Sequence, residues 1–82
     1  MNEIYVVIDF NGYVESYRKF ESARKDVRNA LIDYAANFCY SIEELAEAMH
    51  KFDRDYEADR VVCSACFGNY IIRCVKSTII ED

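Results

Sequence analysis

Three groups of residues in this 82-residue chain have the types and spacing to do chemistry: the pair Cys63 and Cys66, the single His50, and a run of carboxylates from Glu43 to Asp59. A Cys-x-x-Cys is half of a zinc site or a redox pair. Here the spacing of three, set in the strand-like sequence RVVCSACF, sends the two thiols to opposite faces of a strand. The remaining soft ligands are Cys39, Cys74 and His50, with no second Cys-x-x-Cys and no paired histidine. A redox pair also favours a helix N-terminus, where the dipole lowers the thiol pKa. The expectation is structural thiols and no metal or other cofactor. Cys63 opposite Cys74 leaves open a cross-strand disulfide under oxidation. His50 has no nucleophile or orienting acid specified nearby, so it is expected to be solvated or to help cap a helix end. No Gly-rich phosphate loop, G-x-S-x-G or H-E-x-x-H occurs, and the acids lack the glycine of an EF-hand loop. The chain is expected not to be an enzyme.

The carboxylates carry the sharper signal. The net charge is −5. Residues 41–60 hold seven acids (Glu43, Glu44, Glu47, Asp53, Asp55, Glu57 and Asp59) against three bases (Lys51, Arg54 and Arg60), a net charge of −4. Phosphates repel such a surface, so direct nucleic-acid binding is disfavoured and a basic protein partner is favoured. Tyr56 lies among the acids as a candidate anchor. The plainer alternative is the solvated face that any amphipathic helix shows. The functional reading requires these carboxylates to be free and in water. It predicts that reversing Glu47, Asp53, Asp55 and Glu57 to Lys abolishes binding without unfolding the domain. A basic cluster, Arg18, Lys19, Arg24, Lys25 and Arg28, reads as a solvated face paired with Glu21 and Asp26, or as a weak phosphate-binding patch.

The elements that must position these groups follow from periodicity. IYVVIDF, Asn11-Gly12 and YVESY predict a hairpin with a two-residue turn. Phe10 would then oppose Tyr13, and Ile4, Val6, Ile8, Phe10, Tyr13 and Tyr17 would face the core. A helix starts near Glu21 or Ser22, with Ser22 a candidate N-cap; its stripe is Ala23, Val27, Ala30, Leu31, Tyr34, Ala35 and Phe38. A second helix opens at Ser41 with the capping box Ser41/Glu44. It carries Ile42, Leu45, Ala46, Met49 and Phe52 and is expected to end near Asp53. Gly68-Asn69 predicts a type II′ hairpin with Phe67 opposite Tyr70, Ala65 opposite Ile72 and Cys63 opposite Cys74. Residues 1–82 are thus expected to form a single α+β domain: a ββααββ two-layer sandwich, a four-stranded antiparallel sheet with both helices on one face. The other face would expose Tyr5, Val7, Val14, Val62, Cys66, Ile71 and Val75, a patch suited to a homodimer.

The opening MNEIYVVIDF lacks the basic lead of a signal peptide, no apolar run is long enough to span a membrane, and a cytoplasmic location with reduced cysteines is expected. In size, acidity and ββααββ layout the chain resembles the small proteins of phages and mobile elements that block host defence, such as anti-CRISPR proteins and DNA mimics. The likeness is one of general character and transfers no functional residue. It implies a stoichiometric inhibitor that binds a nucleic-acid-handling protein. The alternative is a small structural or regulatory homodimer joined through the outer sheet face, and more distantly a zinc- or thiol-dependent regulator.

Overall fold

The computed structural model describes residues 2–9 and 11–79. In chain order these form β1 (Asn2–Asp9), β2 (Val14–Tyr17), α1 (Phe20–Phe38), α2 (Ile42–Glu57), β3 (Val62–Phe67) and β4 (Tyr70–Ile79). The four strands make one antiparallel sheet in the order β2-β1-β4-β3. Both helices cover one face of it, which is the ββααββ layout that the periodicity predicts. Val7, Ala65, Phe67, Ile72 and Cys74 from the sheet close against Val27, Leu31, Ala48 and Phe52 from the helices, all at or near full burial.

The second hairpin follows its turn residues. Phe67 pairs with Tyr70, Ala65 with Ile72 and Cys63 with Cys74. Positive φ falls on Gly68 (47°), the first central residue, as a type II′ turn requires. Tyr40 Oη lies 2.5 Å from where a Cβ at that position would sit, so the turn also needs the glycine for space.

The first hairpin slips by one residue. Val7 pairs with Glu15 and Tyr5 with Tyr17, and in the connection Gly12 adopts φ 89°. The cause is Asp9. Its Oδ1 accepts the backbone N–H groups of Asn11 and Tyr13 at 2.9 and 3.0 Å, its Oδ2 accepts the Tyr70 hydroxyl at 3.4 Å, and its own N–H donates to Tyr13 O. A slip of one residue turns a strand over. Val7 and Tyr5 therefore point to the core, and Ile4, Val6 and Ile8 take the outer face instead. Tyr13 and Tyr17 stay on the inner side, both donating to Asp26 Oδ2 at 2.9 and 2.8 Å. Phe10, expected in the core, lies outside the described residues.

Both helices also depart from their expected ends. α1 begins at Phe20 behind Lys19, which caps it without a side-chain bond, rather than at Ser22. Phe20 is buried, stacked on Phe52 and on Tyr56 with centroids 5.8 and 3.5 Å away, and this burial fixes the start. α2 is capped by Ser41, whose Oγ accepts the Glu44 N–H at 3.2 Å. It runs past Asp53 to Glu57, so His50 sits in mid-helix and exposed. Its end is a Schellman turn: Asp59 adopts φ 57°, Asp59 N–H donates to Tyr56 O and Arg60 N–H to Asp55 O.

Candidate partner-binding surface

The eight residues singled out on and after α2 separate into two groups. The helix repeat puts Glu43, Glu47 and Glu57 on its solvent side and Glu44 on its flank, and all four are exposed. Among the described residues none of them forms an ion pair. Glu44 does one local task, accepting a hydrogen bond from Ser41 Oγ at 3.3 Å across the N-terminal turn. The first turn of a helix favours negative charge, so Glu43 and Glu44 need no counter-ion there.

The aspartates are held by the fold. Asp53 receives a two-pronged hydrogen bond from Arg24 of α1, at 2.7 and 2.8 Å, which ties the two helices together and raises the Arg24 pKa further. Asp55 is buried at 7% exposure. Its Oδ2 accepts Lys51 Nζ at 2.6 Å and the backbone N–H of Ser64 at 3.2 Å, and Arg60 Nε lies 3.6 Å from Oδ1. The Lys51 ammonium, helped by the Ser64 N–H, holds this carboxyl below the usual carboxylate range despite its burial. Ser64 is on β3, an edge strand, and its N–H points away from the sheet. Asp55 therefore occupies a hydrogen-bonding position that an open edge would leave to another chain. Asp59 is exposed but bonded to Lys76 Nζ of β4 at 2.6 Å, and this ammonium lowers its pKa. Tyr56 stacks face to face on Phe20 and shows one edge to solvent.

The expected patch of seven carboxylates thus contracts to four. The proposed reversal of Asp53 and Asp55 to Lys would attack the fold rather than a binding surface. Two residues that periodicity assigns to the core stand beside the free glutamates instead. Phe38 and Ile42, on either side of the turn between the helices, are 61% and 81% exposed. Phe38 stacks on Tyr34 at 4.5 Å, and Tyr34 on Tyr70 at 4.4 Å, so the exposed ring is braced from behind. The corner between α1 and α2 therefore presents apolar side chains at the start of α2, whose first two turns carry Glu43, Glu44 and Glu47. Beside it an open groove of about 350 Å³ runs between Glu44, Glu47, Lys51 and Arg54 of α2 and the Cys66–Gly68 end of β3.

The cysteines separate as the strand geometry dictates. Cys63 and Cys74 are buried as a cross-strand pair with free thiols, and Cys66 faces out on the other side. Burial pushes the Cys74 thiol up to about 11 and raises that of Cys63, so both are protonated at neutral pH. Among the described residues no group of three or more His, Cys, Asp or Glu is arranged to hold a metal ion, and no helix is long and apolar enough to cross a membrane. The basic cluster is broken up: Arg24 is taken by Asp53, and Asp26 is engaged by two tyrosines rather than by cations. No protein-family model matches the chain, and comparison with curated proteins and with solved structures finds no similar protein.

Proposed function

We propose that this chain is a non-catalytic protein-binding inhibitor or regulator, and that its contact surface is the α1–α2 corner with the first two turns of α2. The supporting observation is that Glu43, Glu44 and Glu47 are exposed without internal counter-ions and adjoin the exposed Phe38 and Ile42. Carboxylates that a fold leaves unpaired gain most from Lys and Arg side chains on a partner, and the charge steers the encounter. The adjacent aromatic and aliphatic side chains supply the desolvated contact that long-range charge alone does not. The fitting partner is a Lys/Arg-lined groove with an apolar wall, of the kind that holds nucleic acid. A stoichiometric blocker of such a groove, of the anti-defence type carried by phages and mobile elements, is the biological form this reading takes.

The test is capture from a nuclease-treated bacterial lysate by the wild-type chain and by the Glu43→Lys/Glu44→Lys/Glu47→Lys variant. The reading expects nucleic-acid-binding proteins to be retained by the wild type, released by heparin and by raising salt from about 50 to about 500 mM, and lost with the variant at unchanged circular dichroism. Retention by the folded variant equal to that of the wild type would refute it.

A further inference from the structure

The helices cover one face of the sheet and leave the other bare, and the register makes that bare face more apolar than alternation of the sequence predicts. Because β1 is turned over, Ile4, Val6 and Ile8 project outward beside Val75 and Ile71 of β4 and Val62 of β3. Val6, Val75 and Val62 stand side by side in one row across three strands. We propose that this face is a self-association surface on which two copies of the chain pack sheet against sheet.

Three observations select a second copy as the occupant. The first is charge. Among the described residues the face carries no carboxylate, and the described acids lie on the helix layer, in the turn after α2 and at inner-side positions of the sheet. Packing back to back turns both sets of helix acids outward, as far apart as the fold permits. The second is the one cation on the face, Arg73. It has no hydrogen bond or ion pair among the described residues. Arg73 is exposed, and its cross-strand neighbours are Ile8 and Ser64, whose hydroxyl accepts Lys51 Nζ at 2.9 Å, so the arginine stem can lie along the apolar face while its guanidinium stays in water. The third is area. The 28 residues of the four strands, at about 4.8 Å between strands and about 3.3 Å along them, give the whole face a footprint of roughly 450 Å² per copy. Two such faces bury roughly 900 Å², close to the approximately 1,000 Å² at which specific interfaces begin, which fits a weak dimer. A two-fold pair would also carry two outward-facing copies of the Glu43–Glu47 surface.

Sedimentation velocity from about 5 to about 200 µM, in reductant so that Cys66 forms no disulfide, reads this directly. The wild type is expected to shift from monomer towards dimer. Val75→Lys and, separately, Val62→Lys are expected to weaken association by on the order of 100-fold. Val62 is an edge-strand side chain already 41% exposed, so its variant decides the matter should Val75→Lys unfold. The Glu43→Lys/Glu44→Lys/Glu47→Lys chain is expected to dimerise as the wild type does, which separates this surface from the proposed partner site. A wild type that remains monomeric throughout overturns the proposal. So does a folded valine variant that dimerises normally, or loss of the dimer in the glutamate variant.

Discussion

The two halves of α2 are similarly rich in carboxylates and use them in opposite ways. Glu43, Glu44 and Glu47 sit at the helix N-terminus, where the dipole stabilises negative charge, and the fold supplies no cation to them. Asp53, Asp55 and Asp59 sit at and just beyond the C-terminal turns, where the dipole opposes negative charge. Each is matched by a cation, from α1, from within the helix or from β4. The difference shows that counting acids along a chain does not measure how much negative surface it offers. The aspartates at the unfavourable end recruit partners, whereas Glu57 in the last turn stays exposed and without an ion pair among the described residues, like the glutamates at the favourable end that are left over for another molecule.

The strongest way to break this comparison is Asp55→Ala. It strips Lys51 and the Ser64 N–H of their shared acceptor and loosens both the end of α2 and the β3 edge. A loss of about 2–3 kcal/mol is expected in urea denaturation. Glu47→Ala, eight residues earlier on the same helix, is expected to stay within about 0.5 kcal/mol of the wild type.

Acid titration sharpens the same contrast. The folded pKa of Asp55 lies below its unfolded value, so the unfolded chain binds the proton more readily. The stability it contributes is complete above the ordinary Asp pKa of about 3.9 and is lost as pH falls through the lower folded value. Asp59, depressed by Lys76, acts in the same direction. Thermal melts are expected to be flat with respect to these two groups from neutrality down to about pH 5 and to fall steeply below about pH 4. In Asp55→Asn the acid limb becomes shallower; an unchanged limb would mean that Asp55 is not held ionised.

Among the aspartates the smallest expected effect is that of Asp53→Asn. The pair with Arg24 is bidentate, but both side chains are about one-third exposed and screened by water, so a cost of about 0.5–1 kcal/mol is expected, weaker at high salt. A cost several times larger, insensitive to salt, would place this pair with Asp55 as a buried determinant of the fold.

How far these assignments are legible in the sequence depends on whether the competing interaction is local. The Gly68-Asn69 hairpin follows from its turn residues, with positive φ at Gly68 and Phe67 paired with Tyr70. The Asn11-Gly12 signal is as strong, yet Asp9 takes two backbone N–H groups of the loop and moves the register by one, which inverts β1. The end of α2 is obscured in a related way: position 55 continues the apolar stripe with an aspartate, and its partners Arg60 and Ser64 are contributed by the chain beyond the helix. Arg24 lies 29 residues from Asp53, and Lys76 lies 17 from Asp59, separations at which no spacing rule links a charge to its counter-ion. Phe38 and Ile42 satisfy the helical period but miss the core because they close α1 and open α2, beyond Leu31, the last buried residue of α1, and before Ala48, the first of α2. The layout, the helical stripes and the Ser41 cap are local and readable. Which carboxylates remain free is a property of the assembled tertiary structure.

The division of labour along α2 is tested most directly by two triple variants measured side by side for thermal unfolding and for lysate capture at low salt: Glu43→Lys/Glu44→Lys/Glu47→Lys and Asp53→Asn/Asp55→Asn/Asp59→Asn. The account predicts that the first keeps the wild-type midpoint within a few degrees and loses its bound protein, while the second melts about 10 °C or more lower. A glutamate variant that unfolds, or an aspartate variant that melts with the wild type, would contradict it.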